Sequence, residues 1–206
     1  MLKASVGRRL RPKMRSNKLN RSGMKMRPSA PSNHGRHRMK GEGSTVGEIR
    51  HASVAVGGTF DILHAGHERL LSRAFELGAV VFIGVTGDRL VRRLHKSHRV
   101  RSFSSRVRDL RRFLKSHGWL GRARIVELKD PFGPAIKRKG LEALVVSENT
   151  KQNGRRVNYM RRRWKLPPLR LYIVGLVKAE DGGLISATRI RSGEIDSCGN
   201  HISKHG

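Results

Sequence analysis

Two kinds of apolar pattern alternate along the chain from about residue 51, and neither occurs before it. Residues 52–56 (ASVAV) form a short β-branched run that reads as a strand. In residues 66–77 the apolar positions Leu70, Leu71, Ala74 and Leu77 share one helical face, and Gly78 stands where a C′ glycine would close the helix. Residues 79–85 (AVVFIGV) are continuously apolar, which marks a strand covered on both faces of a parallel sheet. A short helix over 87–94 and a basic loop over 95–103 follow. Ser104 then stands as the cap of a helix reaching about His117, with Val107, Leu110, Phe113 and Leu114 facing inward. The remaining elements are a third strand over 124–128, a rigid D-P-F-G-P turn at 130–134, a fourth strand over 144–146, a very basic helix over 154–164 and a last strand over 169–177. Strands and helices alternating through short connections predict an α/β domain with a doubly wound parallel sheet. Such sheets bind ligands at the C-terminal ends of their strands, near the point where strand order reverses.

Composition divides the chain differently. The first 50 residues hold 14 of its 45 Lys and Arg but only Glu42 and Glu48 of its 15 acids. With Pro12, Pro28, Pro31 and many Ser, Asn and Gly, they cannot bury a core and read as a disordered basic extension. No apolar run follows the basic stretch, so it is not a signal peptide. Met39 lies a dozen residues before the first strand, where translation of a compact domain of this kind could begin. The chain is therefore divided into an extension (1–50), a domain (51–196) and a polar tail (197–206). No stretch is apolar enough to span a membrane. A single cysteine, Cys198, excludes an internal disulfide and fits the cytoplasm. The remaining 31 basic and 13 acidic residues give the domain a strong positive charge of its own, sufficient for nonspecific association with nucleic acid. Aromatics make up only 5% of the chain, so stacking platforms for a dedicated nucleic-acid function are scarce.

Two segments carry candidate chemistry. In the first, V-A-V-G-G-T-F-D-I-L-H-A-G-H (54–67), a strand ends in Gly57 and Gly58, and Thr59 and Asp61 follow. His64 and His67 then stand three apart at the start of a helix, with Gly66 between them. The glycines let backbone approach a ligand closely. The helix start offers unpaired N–H groups and positive dipole to an anion. Histidines at i and i+3 share one face, so both imidazoles can reach one phosphate. As metal ligands they would need a third partner, and no Cys or His at ligand spacing lies nearby, so no metal site is assigned. The second segment, I-S-A-T-R-I-R (185–191), follows a Gly-rich turn. Ser186 can cap a helix there, with the Thr188 hydroxyl and the guanidiniums of Arg189 and Arg191 around an anion.

The first segment resembles the H-x-G-H motif, and the second the I-S-S-T-x-I-R signature, of the nucleotidyltransferase superfamily, with Ala187 in place of a second serine. The blocks I-G-V-T-G-D (83–88), H-R-V…S-S-R (98–106), D-P-F-G-P (130–134), V-V-S-E-N-T (145–150) and A-E-D-G-G-L…G-E-I-D (179–196) sharpen this. Together they resemble archaeal-type phosphopantetheine adenylyltransferase over residues 51–196. The resemblance implies a Rossmann-like fold and adenylyl transfer from ATP to 4′-phosphopantetheine, giving dephospho-CoA and pyrophosphate. It implies His67 at the α-phosphate, His64 on the triphosphate and Thr59 orienting phosphates between donor and acceptor. Gly57, Gly58 and Gly66 supply clearance, while Ser186, Thr188 and Arg191 receive the β- and γ-phosphates. Lys96 and Arg106 become candidates for the acceptor phosphate, Thr86 and Asp88 for acceptor or ribose, and Ser147 and Glu148 for the adenosine site. Thr150 either lines that site or caps the next helix, and Asp61 either touches ligand or orients the His64 turn. Mg²⁺ is expected with ATP, held mainly by phosphate oxygens and water. Cytidylyltransferases and mononucleotide adenylyltransferases share the first motif and remain alternatives, as does an RNA-binding protein with a vestigial nucleotide fold. The oligomeric state is not readable from these residues.

Overall fold

The computed structural model describes residues 49–94 and 99–202. The chain divides into two units, Met1–Gly43 and Ser44–Gly206, and the described residues belong to the second. Met39 and nearly all of the basic extension lie outside them.

Ten regular elements follow in order: β1 (His51–Gly58), α1 (Ala65–Leu77), β2 (Gly78–Thr86), α2 (Asp88–Arg93), α3 (Phe103–Ser116), β3 (Ala123–Leu128), β4 (Ala143–Ser147), α4 (Lys151–Arg163), β5 (Arg170–Val174) and α5 (Ala187–Arg191). The strands make one parallel sheet in the order β3-β2-β1-β4-β5. Order reverses between β1 and β4, which is the doubly wound, Rossmann-like arrangement.

Side-chain alternation explains the layers. Val54 and Val56 of β1, Val81, Ile83 and Val85 of β2, and Ala143 and Val145 of β4 pack in one cluster with Leu70, Leu71 and Ala74 of α1 and Leu110 and Leu114 of α3. Ala55, Leu144 and Val146 point the other way, against Val157 of α4. The central strands are thus apolar on both faces, as the unbroken run over 79–85 requires. Among the described residues no helix is long and apolar enough to cross a membrane.

The boundaries differ from the sequence reading in informative ways. Gly78 is extended (φ −116°, ψ 135°), not left-handed. A Cβ there would lie 2.7 Å from Val54 Cγ2, so glycine is required by the close approach of β2 to β1. The cap of α3 is Ser102, whose hydroxyl accepts the Ser105 N–H. The helix expected from 154 begins at Lys151, after a turn in which Thr150 Oγ1 accepts the Ser147 N–H at 3.0 Å. β5 stops at Val174. Residues 197–202, read as the start of a polar tail, are bonded into the unit: Ala65 N–H donates to the Ser197 carbonyl and Glu180 N–H to that of Gly199.

Arg161, on the inner face of α4, is fully buried. Its guanidinium donates to the carbonyls of Pro167, Ala135 and Arg138, pinning the loops on either side of the helix. Burial pulls its pKa below the usual arginine value. Removing this fork leaves three carbonyls without their donor, each a cost of about 1–3 kcal/mol when it stays dry. Arg161→Ala should therefore lose at least about 2 kcal/mol in urea denaturation, and Arg161→Lys less, since an ammonium can serve part of the cluster. A loss below about 0.5 kcal/mol, the ordinary scatter of surface changes, would contradict the pinning role.

Candidate functional site

The turn between β1 and α1 owes its shape to Phe60. This residue adopts φ +51°, a left-handed conformation that bulky side chains rarely take and that stores about 1–3 kcal/mol. Complete burial of the ring holds it there. The ring packs beside His67, centroids 5.1 Å apart, and under Gly58, where a Cβ would come within 3.1 Å of it. The reversal at Phe60 turns the chain back so that Thr59 and the start of α1 share the C-terminal edge of the sheet.

His64 is the N-cap of α1. Its Nδ1 accepts the Gly66 N–H at 3.1 Å, an unusual use of imidazole where Ser or Asp is commoner. Acceptance requires a bare Nδ1, so the proton of the neutral ring sits on Nε2, facing away from the helix as a donor. Gly66 leaves room for this cap, because a Cβ there would lie 3.0 Å from the His64 ring. The His64 and His67 rings are half-buried, with centroids 4.0 Å apart, so the i, i+3 spacing does bring both to one face. Burial pushes His64 below its ordinary pKa.

The second motif meets the first. Ser186 caps α5, its hydroxyl oxygen accepting the Arg189 N–H while its own proton stays available. Arg191 reaches from α5 to Asp61, which is 3% exposed, and their guanidinium and carboxylate form an ion pair. Asp61 also accepts from the backbone N–H and Nε of Arg101, at 3.0 and 3.2 Å. Asp61 thus bridges the two motifs, an arrangement tied further by the Ala65–Ser197 bond. Ile185 packs on Ala179 and Ile195 under Ala65, which seats α5 beside the start of α1. Arg189 is occupied by Asp181 and Glu194, so it braces the turn before α5.

Other sequence candidates are distributed less evenly. Arg106, read as a basic group for the acceptor phosphate, is fully buried. It donates to the carbonyls of Thr59 and Arg101 and to Asp88, so it sets the site's wall and offers no free guanidinium to a ligand. Burial alone would raise the Asp88 pKa, but the Phe103 N–H and the Arg106 guanidinium outweigh it and hold the carboxyl below its usual range. The buried Thr86 hydroxyl donates to the Gly58 carbonyl at 3.2 Å, locking β2 to the end of β1. Val56 pairs with Val145, which sets Ser147 level with Gly58 across the reversal point. Ser147 and Thr150 cap each other, and Glu148 pairs with Lys151. Thr188 is exposed on α5. Lys96 lies outside the described residues. Arg101 was not singled out in the sequence; it lies within the H-R-V…S-S-R block, but its pairing with Asp61, 40 positions away, leaves no local signature.

Beside Gly57, Gly58 and Thr59 opens a cavity of about 330 Å³ on the α4 face of the sheet. Its walls are chiefly apolar, with Phe82, Leu90, Val126, Leu128, Phe132 and Leu141 among them. Ala55 and Gly84 line its floor, with Leu128 packed so close over Gly84 that a Cβ there would lie 2.7 Å from Leu128 Cδ2. The site therefore joins a histidine- and hydroxyl-lined edge suited to phosphate with an apolar recess suited to an acceptor's arm. Among the described residues no group of three His, Cys, Asp or Glu could hold a metal ion.

Comparison with known proteins agrees with this geometry. Residues 55–193 match the family model described as cytidylyltransferase-like. The phosphopantetheine adenylyltransferase of Methanopyrus kandleri is 44% identical over 147 residues, 71% of this chain and 92% of that protein. That of Thermococcus gammatolerans is 40% identical over 151 residues, 73% of this chain and 94% of that protein. A crystal structure of a protein of unknown function from Archaeoglobus fulgidus superposes with a TM-score of 0.54 at 32% identity, covering 59% of this chain and 88% of that one.

Two histidines should titrate on opposite sides of the ordinary value of about 6.5. Burial depresses His64, so the stability it contributes is present above that value and is lost as pH falls through the folded-state pKa. His117 is raised by its bond to the Phe113 carbonyl and then by Glu68, so its contribution is present below that value and is lost as pH rises. Imidazole ring resonances followed by NMR across pH 5–8 should separate the two, and coincident midpoints would refute the assignment.

Proposed function

The chain belongs to the cytidylyltransferase-like family, and from that premise we propose that it transfers AMP from ATP to 4′-phosphopantetheine, giving dephospho-CoA and pyrophosphate. The observation that carries this reading is the meeting of the two phosphate motifs through Asp61 and Arg191, the first of which also lends Gly57, Gly58 and Thr59 to an apolar recess.

The acceptor phosphate is a competent nucleophile as it stands, so the work is alignment and charge stabilisation. An acceptor phosphate near Thr59 attacks the α-phosphorus of ATP; the bond to the β-phosphate oxygen breaks and pyrophosphate leaves. In this reading His67 meets the non-bridging oxygens of the α-phosphate as negative charge builds there, and His64 presents Nε2–H to the triphosphate. The leaving pyrophosphate is received by Ser186, Thr188 and Arg191. To take part, Arg191 exchanges Asp61 for phosphate, and the Arg101 contacts remain to meet the released carboxylate. Ser147 and Glu148, at the end of β4, are assigned to the adenosine.

Mg²⁺ enters this scheme as part of the ATP substrate. The buried carboxylate between the motifs keeps its Arg101 contacts when Arg191 turns to phosphate, which fits an ion carried by phosphate oxygens and water. Bound in that way it neutralises charge on the pyrophosphate.

The recess supports pantetheine over the glycerol phosphate of a related cytidylyltransferase, since a three-carbon polyol has no use for apolar walls of this extent. A cytoplasmic location follows from the reaction proposed.

His67→Ala should keep the fold and lose about 10²–10³ in kcat, the usual cost of one donor to a developing charge. The measurement is pyrophosphate release with ATP or CTP against 4′-phosphopantetheine and glycerol phosphate. Turnover with CTP and glycerol phosphate in place of ATP and phosphopantetheine would replace this function with the cytidylyltransferase one.

A further inference from the structure

The recess and the phosphate motifs leave the outward face of α4 without a role. Gly154, Val157 and Arg161 are its buried positions. Rotation by 100° per residue puts Tyr159 at the centre of the opposite face, with Arg155 and Arg162 on one side of it and Arg156 and Arg163 on the other. All four arginines are exposed, and Tyr159 keeps 55% of its surface. Arg163 Nη1 donates to the Tyr159 hydroxyl at 3.4 Å. Beyond the helix, Trp164 is 52% exposed, with the Lys137 ammonium 4.1 Å above its ring.

Carboxylates do not compensate this charge. The chain has no acidic residue between Glu148 and Glu180, and Glu148 is paired with Lys151. Among the described residues, none of Arg155, Arg156, Arg162, Arg163, Lys137 or Lys165 takes part in an ion pair. The helix dipole accounts for cations in the last turn, at Arg162 and Arg163, but not for Arg155 and Arg156 near the other end. Packing does not account for two large aromatics left in water.

We propose that the outward face of α4 binds single-stranded nucleic acid, with Tyr159 as a stacking platform and the four flanking arginines on backbone phosphates. The two arginine tiers lie seven residues apart, about 10 Å along the axis, with the aromatic ring midway. Guanidiniums around an exposed ring suit unpaired bases, whose faces are accessible, and not a duplex, whose faces are stacked away. Low aromatic content across the whole chain does not weaken this, because the aromatics concerned are gathered in one place. The binding is independent of adenylyl transfer.

The test uses the full chain and a fluorescein-labelled oligouridine of 20 nucleotides, read by anisotropy between 50 and 200 mM salt. Replacing all four arginines (Arg155→Gln, Arg156→Gln, Arg162→Gln and Arg163→Gln) should flatten the slope of log K against log salt by about 3, as expected for four lost phosphate contacts on a single strand. Tyr159→Ala should weaken binding at least about fivefold with the slope unchanged, and Tyr159→Phe should restore it, since stacking needs the ring and not the hydroxyl. Pyrophosphate release should stay at the parental rate in every variant. Unchanged affinity and slope in both the arginine and Tyr159→Ala variants would overturn the proposal and assign binding to other basic segments. Equal loss of binding to phosphatidylglycerol vesicles, with no effect of Tyr159→Ala on oligouridine, would overturn it in favour of a membrane-facing surface.

Discussion

A carboxylate removed from water is costly unless cations meet it, and the site is organised around one such group. Asp61 is 3% exposed and is met by Arg101, from the loop before α3, and by Arg191 of α5. Arg101 in turn holds Asp109 on α3. Three segments are thereby fixed to one another: the reversal at Phe60, the approach to α3, and α5. The histidine pair and the α5 hydroxyls take their relative positions from this junction. The strained Phe60 backbone sits one residue before it, which is where a stored cost is most useful for aiming neighbouring groups.

Buried guanidiniums do comparable work elsewhere. Arg106 and Arg161 are both fully buried, and each spreads its planar fork over backbone carbonyls that no regular element satisfies. A strongly basic composition invites an electrostatic explanation for every arginine. Here part of it is internal scaffolding, with Arg106 carrying the loop of Thr59 and Arg161 the loops beside α4. The outward arginines of α4 belong to a different class, since among the described residues no carboxylate pairs with them.

The sheet was legible because its strands obey short-range rules. The unbroken run over 79–85 is typical of a doubly covered strand, and helical spacing at Leu70, Leu71 and Ala74 marks the inner face of α1. Both phosphate motifs could be read as well, because glycines, caps and hydroxyls act within a few residues. What escaped were features set by partners far along the chain. Arg106 looks like surface charge until its distance from Thr59 and Asp88 is known. Gly78 looks like a helix-ending glycine, yet Val54 across the sheet dictates it. The apolar recess could not be foreseen either, since its lining is gathered from segments spread between Ala55 and Val157.

The ion pair between Asp61 and Arg191 also spans 130 positions of sequence. Closing so wide a loop is entropically slow to begin, though each further doubling of length adds only about 0.6 kcal/mol. The strands nearest in sequence can pair while the chain is still emerging, and the recess can close once the residues up to Val157 of α4 have followed. The side of the site built from α5 cannot, because Ser186, Thr188 and Arg191 arrive late in the chain and α5 is followed by a segment bonded back to the start of α1. The junction at Asp61 is therefore completed late in synthesis, after every strand of the sheet has been made.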